Sequence, residues 1–474
     1  MFTVTVPRTV RDLLENFRTC FTKPGFESFS TLITGWIICQ GRHSISRVIQ
    51  ASGVVPTGKH HSSIYRFLSQ GRWTTDAVGE TLFRLLLPFM PKEITLILDD
   101  TLCHKGGPHI FGAAMHYDSH SSTYGRGSTQ GRKSVFAFGH NWVIAALWIP
   151  LPWNSAQGLA IPFLFRLYRS KKRSPKSKYR KRTVLAAELI KLVKSWLPAG
   201  RRLHVLADSE YACETVVRDL PADIVFTGPM VMDAALYEPP DRYHGKGRPS
   251  RKGKRLLSPR DLAKSSTTPW KTLTLVIYGK KITIKVKSMV CLWYTVAGIR
   301  RVRVVVTWDP RGRFDDRAYF STDPNRSEKA ILVQYARRWE IEVGFRNTKQ
   351  ALGLEDPQNG WWHRPKGSHR VKKRPGPNAR ERVGEMAINH TLATAFAAYA
   401  LSIIWYLHHG QPDKDVAIVR AAAPWYGHKT RPSLNDMLAA VRRELWTSRL
   451  SQHPGTRPGA EKLAATLPHW LLSA

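Results

Sequence analysis

The chain is predicted to be an α/β protein whose core is interrupted by a β-rich insertion and flanked by helical regions, and three features predict it. Apolar residues recur at helical spacing through the first ninety positions, with few strand signals before Pro91. Strand, helix and strand then alternate from 91 to 227, and the helical period vanishes between about 228 and 322 before a long helix resumes. Five segments follow: helical 1–90, the first part of the core at 91–227, the insertion at 228–322, completion of the core at 323–410, and a helical region at 411–474. A chain of 474 residues exceeds what one hydrophobic core usually organises, so two or three domains are expected.

Within the first segment, residues 10–21 and 29–39 carry the helical spacing. Residues 44–51 and 60–68 read as two short helices around a GVVPTG turn, the second offering His60, His61, Ser62, Ser63, Tyr65 and Arg66. That pattern resembles a helix-turn-helix; an ordinary helical hairpin with a polar outer face would look the same. In the core, residues 93–100 form a short apolar run ending in two carboxylates, and 135–149, 161–168 and 203–207 are further strand-like runs, with a helix at 183–197. Residues 273–278, 281–286, 290–294 and 302–306 supply the strands of the insertion, and 327–352 a single long helix. There is no internal repeat.

The charge balance narrows the function. Lys and Arg number 73 against 35 Asp and Glu, a formal charge of +38 that would repel itself unless a polyanion were the partner. Nucleic acid is the first candidate and an anionic membrane the second. The opening MFTVTVPRTVRDLLENF lacks the basic-then-apolar order of a signal peptide. Residues 391–407 are almost uncharged but stand at the short limit for spanning a bilayer, so a buried helix is expected there. The five cysteines are scattered and form no C-x-x-C pair, which signals neither a disulfide framework nor structural zinc and fits reduced thiols in the cytoplasm.

Asp100 and Asp208 each follow an apolar run, where a side chain emerges at a sheet edge. Two such carboxylates suit Mg²⁺ or Mn²⁺, which prefer oxygen ligands and share them with substrate phosphate; helix caps and solvated turns also use acids at strand ends. On the later helix, Tyr335, Arg338, Glu342, Arg346 and Lys349 fall within one arc at about 100° per residue, setting one carboxylate among cations. Glu342 is thereby a candidate metal ligand and the cations candidates for phosphate, whereas Glu340 points the other way. The competing account is a solvated helix laced with i,i+4 pairs.

The spacing Tyr335, two residues, Arg338, three residues, Glu342, six residues, Lys349 resembles the tyrosine-arginine-glutamate-lysine signature of insertion-sequence DDE transposases. Asp99-Asp100-Thr101 resembles the aspartate-threonine context of that family's first acid, and Ala207-Asp208-Ser209-Glu210-Tyr211 the context of its second; the likeness covers roughly residues 93–352. It implies an RNase H-like core whose β-rich insertion lies between the second Asp and the Glu. It also implies two divalent ions, Mg²⁺ with Mn²⁺ able to substitute, held by Asp100, Asp208 and Glu342. The implied reaction is hydrolysis at the terminal inverted repeats followed by strand transfer into target DNA. Tyr335, Arg338 and Lys349 take the DNA-contact role by the same alignment, joined by Arg346, and a homodimer on paired ends in the bacterial cytoplasm is the expected assembly. Asp99 remains an alternative ligand if the strand ends one residue earlier. Relatives that form hairpin ends stack a flipped base on a Trp of the insertion; Trp293 and Trp308 are candidates, with the hydrophobic core as the competing place for either.

Basic clusters at 169–182, 246–255 and 364–382 contain Pro, Gly and Ser and read as loops that track the DNA backbone, with Trp361, Trp362, His363 and Tyr179 interleaved. His104, His109, His116 and His120 do not form a recognised zinc pattern, and Lys105-Gly106-Gly107 lacks the spacing of a nucleotide-phosphate loop, so neither zinc nor ATP is expected. The rival readings are a non-catalytic DNA-binding regulator and a nuclease that cuts without joining.

Overall fold

The computed structural model describes residues 6–53, 60–106, 110–118, 135–174, 179–241, 248–313, 315–357, 362–363, 372–373 and 382–451, with 459, 462 and 467. Most of the GVVPTG turn, His109, His120, Trp361 and much of the three basic clusters lie outside the described residues, as do the side chains of Trp362 and His363.

Five helices come first: α1 (Arg8–Glu15), α2 (Lys23–Ile38), α3 (Ile45–Ser52), α4 (His61–Gln70) and α5 (Thr75–Leu86). Ser44 starts α3 by accepting the Arg47 N–H, Thr74 starts α5 by accepting that of Ala77, and Gly53 ends α3 in the left-handed conformation a side chain resists.

The sheet follows: β1 (Glu93–His104), β2 (Ala114–Tyr117), β3 (Phe136–Leu151), β4 (Asn154–Tyr168), α6 (Arg182–Trp196), β5 (Arg202–Ala207), α7 (Glu214–Val217) and β6 (Ile224–Met230). β4 pairs with β3, β3 with β1, β1 with β5 and β5 with β6; the first two pairings are antiparallel and the last two parallel. In chain order the core strands therefore run third, second, first, fourth, fifth, which is the RNase H-like arrangement. β1 lies at its centre and is buried on both faces from Ile94 to Asp99, so its sequence is a continuous apolar run. One expectation is corrected here: the apolar run does not end the strand at Asp100, because pairing with β3 continues to His104 opposite Gly139.

After β6 come α8 (Pro259–Lys264), β7 (Lys271–Ile277), β8 (Lys280–Leu292), α9 (Tyr294–Ala297), β9 (Arg301–Trp308) and β10 (Arg317–Ser321). β10 pairs with β6, so the insertion extends the core sheet through β10, β9, β8 and β7. Two runs expected as separate strands, 281–286 and 290–294, are one long β8 joined through Lys287–Met289; Tyr294 already opens α9. Lys287 interrupts the apolar run, yet its ammonium is buried and donates to the carbonyls of Leu262, Ala263 and Ser265 at the end of α8.

The expected single helix at 327–352 is two, α10 (Glu328–Ala336) and α11 (Trp339–Ala351). The chain tightens between them through the Arg337 N–H to Gln334 and the Arg338 N–H to Tyr335, both three residues back. Gly344 lets α11 press on β4: a Cβ there would stand 3.0 Å from the Ala160 carbonyl oxygen.

The chain closes with a two-residue ladder between Trp362–His363 and Lys372–Lys373, then α12 (Arg382–His409), α13 (Pro412–Ala422) and α14 (Leu434–Leu450). Residues Gly384–His409 of α12 are long and apolar enough to cross a membrane by length and composition, yet they are packed inside the protein. α12 touches α1, α2, α4, α5, α14 and β4, which explains a helix apolar on every side. Its Thr391, Thr394 and Ser402 hydroxyls donate to carbonyls four residues back and so need no water. The N-terminal helices, the core sheet, α12 and α14 share one hydrophobic core, and a second, smaller core lies between the insertion strands and α10.

His140 on β3 is fully buried with Nε2 against the Phe111 carbonyl, and burial pulls its pKa down to about 3. The depressed folded value makes the neutral ring the stable form, so stability is complete above about pH 6.5 and is lost as pH falls towards 3, by up to about 1.4 kcal/mol per pH unit. Melting temperatures recorded between pH 7 and pH 4 should fall in the wild type and fall less in His140→Gln; equal slopes would remove His140 from that dependence.

Candidate active site

Neighbouring residues of a strand face opposite sides of the sheet, and this separates the two acids of β1. Asp99 is buried on the side of α11, where its Oδ2 accepts from Arg338 at 2.6 Å. The other arm of the same guanidinium donates to Glu342 Oε1 at 2.7 Å. Asp100 faces the side of α6, where its carboxylate accepts from Asn141 at 2.9 Å, Arg182 at 3.0 Å and the Tyr211 hydroxyl at 3.3 Å. Arg182 also reaches Glu210 at 2.7 Å.

Asp208 leaves the end of β5, and its Oδ1 accepts the backbone N–H of Glu210 at 3.0 Å and of Tyr211 at 3.4 Å. This turn fixes the carboxylate beside β1. The parallel register brings Asp208 there, since Ala207 lies opposite Leu98. Asp208 acts electrostatically on both acids of β1 and on Arg338.

The electrostatics are those of crowded, buried carboxylates. Burial pushes Asp99 up from the ordinary carboxylate range against the pull of Arg338, with Asp208 and Asp100 adding to the rise. Burial likewise raises Asp208, again opposed by Arg338 and reinforced by Asp100. Burial works against the charge of Arg338, and Asp99, Tyr335, Glu342 and Asp208 outweigh it. Among the described residues no three His, Cys, Asp or Glu side chains stand together closely enough to hold a metal ion. The space between Asp99 and Glu342 is spanned by the guanidinium instead, a cation serving an all-oxygen donor set of the kind Mg²⁺ or Mn²⁺ prefers.

Of the other residues singled out in the sequence, Tyr335 is half-buried with its ring 4.9 Å from that of Tyr319, and burial raises its phenol pKa. Lys349 donates to the Leu102 carbonyl at 2.6 Å and pairs with Glu355 at 3.1 Å, tying the end of α11 to β1. Arg346 is exposed, without a salt bridge among the described residues. Trp293 is buried against Phe320, whereas Trp308 is exposed. His104 stands 3.2 Å from Asp118 and 3.5 Å from Glu355.

Sequence reasoning missed Arg182, Asn141, Tyr211 and Tyr278. Tyr278 and Gly279 form the two-residue turn between β7 and β8, both at positive φ, 53° and 73°. The tyrosine is exposed, and the charges of Arg338, Glu340 and Glu342 reach its phenol. A Tyr-Gly pair between two alternating runs is the available signal for that turn; nothing local says that those charges reach it.

Arg338 is the countercharge of a buried acid, so Arg338→Ala should destabilise the metal-free protein by about 3 kcal/mol. The double variant Asp99→Asn/Arg338→Ala should recover most of that loss in urea unfolding. An Arg338→Ala protein as stable as wild type would show that the pair carries no such weight.

The model of the DDE superfamily endonuclease family matches residues 16–283, which hold Asp99, Asp100 and Asp208. The ISC1217 transposase model matches residues 294–373, which hold α10 and α11. Compared with curated proteins, the chain has no match. With its RNase H-like sheet and a family match across more than half of its length, the chain belongs to the DDE superfamily endonucleases.

Proposed function

We propose that the protein is the transposase of an insertion sequence, cutting phosphodiesters at the element's ends and joining the freed 3′-OH groups to target DNA. The observation that carries this reading is the sharing of Arg338 by Asp99 and Glu342, with Asp208 within electrostatic reach of it, inside the stretches that the two family models match. Asp99, Asp208 and Glu342 would hold Mg²⁺ or Mn²⁺, which supply a polarised phosphate and an activated water or 3′-OH. Arg338 is then freed towards phosphate oxygens, which it can grip with two parallel N–H donors. Exposed Arg346 lies two turns further along the same helix and suits the flanking backbone. Lys349 adds positive charge while keeping α11 in place.

A second reading assigns the first ligand to Asp100, because Asp100 directly precedes Thr101 and acts electrostatically on Asp208. In that case Arg182, not Arg338, is the cation displaced. Dimerisation on paired ends and binding of inverted repeats by the N-terminal helices complete the proposal. The helices α3 and α4 are candidates for end recognition.

Mg²⁺-dependent cleavage and strand transfer on DNA bearing the native ends tests the proposal directly. Glu342→Ala should abolish both reactions while DNA binding persists, and unchanged activity would sink its metal role. Asp99→Asn should cost at least about a hundredfold in rate, with Asp100→Asn milder; the reverse order would move the ligand to Asp100. Wild-type protein that binds ends tightly yet never cuts would favour the regulator, and cutting without joining would favour a nuclease.

The positive charge makes a further prediction. If six to ten phosphates are neutralised on binding, duplex affinity should fall by about 10³ to 10⁵ between 50 and 200 mM salt, measured by fluorescence polarisation. An affinity indifferent to salt would contradict a phosphate-gripping surface.

A further inference from the structure

Of the two neighbouring acids in β1, only Asp99 faces α11 and shares an arginine with Glu342. Asp100 is turned away from both. Its three donors, Asn141, Arg182 and the Tyr211 hydroxyl, come from β3, from the first residue of α6 and from the turn after β5. The third of these leads back to Asp208.

Tyr211 stands three residues after Asp208 and is fully buried, with its backbone N–H on Asp208 Oδ1 at 3.4 Å and its hydroxyl on Asp100 Oδ1 at 3.3 Å. One residue thus grips an acid at each end. Glu210 makes the same connection by another route, its N–H donating to Asp208 Oδ1 at 3.0 Å while its carboxylate accepts from Arg182 at 2.7 Å. The other arm of that arginine holds Asp100 at 3.0 Å. Pairing of β1 with β5 ends at Leu98 opposite Ala207, one residue short of Asp208. Past that point, among the described residues, the side-chain hydrogen bonds that tie the turn to β1 run through Asp100.

Asn141 bears on the same carboxylate. Its amide nitrogen donates to Asp100 at 2.9 Å, although its own carbonyl oxygen is then buried with no hydrogen-bond partner among the described residues. A buried polar atom left unpaired costs stability, so the amide is oriented for Asp100 at the expense of its own bonds.

We propose that Asp100 is a positioning residue: held by Asn141 and Arg182, it latches the Asp208 turn to β1 from the α6 side and so sets the separation of Asp99 and Asp208 that a shared cation must span. This rests on the reading in which Asp99, Asp208 and Glu342 hold Mg²⁺ or Mn²⁺, and it adds the device that keeps two of those acids in register. Partners that orient a liganding carboxylate are worth about ten- to a hundredfold in metal affinity. The latch should therefore show in how much metal is needed.

Calorimetric titration of full-length protein with Mn²⁺, paired with end-cleavage rates across a Mn²⁺ series, tests the latch. Tyr211→Phe removes one hydroxyl and keeps the packed ring, and it should weaken Mn²⁺ binding about tenfold; Asp100→Asn should weaken it by about ten- to a hundredfold. For both, saturating Mn²⁺ should restore cleavage to within about threefold of wild type, whereas Asp99→Asn, which loses a ligand, should regain nothing. If Asp100→Asn does not fold, Tyr211→Phe alone decides. Mn²⁺ affinities unchanged in the latch variants, or slow cleavage that saturating Mn²⁺ leaves slow, would overturn the latch. Asp100→Asn that loses Mn²⁺ outright beside a Tyr211→Phe that binds normally would overturn it too, making Asp100 a ligand. Wild-type protein that neither binds Mn²⁺ nor cuts DNA would instead sink the metal-dependent reading of the site itself.

Discussion

The guanidinium of Arg338 is the contact on which the arrangement of acids about β1 and α11 depends. A sheet that carries Asp99 within β1 and Asp208 just past β5, with Glu342 brought against it, gathers negative charge where little water can screen it. Each carboxylate alone would be costly to bury, and together they repel. One arginine with two donor arms resolves this by bonding Asp99 and Glu342 at once. The placement is exacting. Arg338 must leave the chain where α10 gives way to α11, and the tightening there sets its direction. Gly344 must allow α11 to lie against β4. Lys349 must hold the far end to β1.

On the other side of β1 a second arginine repeats the solution. Arg182 bridges Asp100 and Glu210, and Asn141 and Tyr211 add donors. Adjacent acids in one strand thus acquire separate partners on separate faces. The pair behaves as two sites with Asp208 between them.

Much of this was legible in the sequence, and the limits of legibility have physical reasons. The strands and the helices of the first segment showed because buried faces impose periods of two and 3.6. β8 was divided in two because its buried Lys287 interrupts the apolar run, and only tertiary carbonyls make that lysine acceptable inside. The break at Arg337 and Arg338 was hidden because its residues all favour helix. The shared arc of Arg338 and Glu342 was readable through spacing, and Asp208 stood out as the acid after an apolar run. The division of labour between Asp99 and Asp100 was not, since it turns on which face α11 covers, a matter settled by Gly344 and α12 far away in the chain. Arg182 was read as one member of a basic loop; its partners lie in β1 and after β5, beyond the reach of any local pattern.

The buried helix α12 has a consequence of another kind. It follows α11 in sequence, yet it packs against α1, α2, α4 and α5, which the ribosome makes first. Those early helices turn apolar side chains such as Phe29, Trp36 and Phe83 towards a core completed only when residues past 382 arrive. A nascent or prematurely stopped chain therefore exposes greasy surface and is a substrate for chaperones and proteases. A gene copy broken by a late nonsense codon should therefore leave no stable amino-terminal fragment to compete with intact protein.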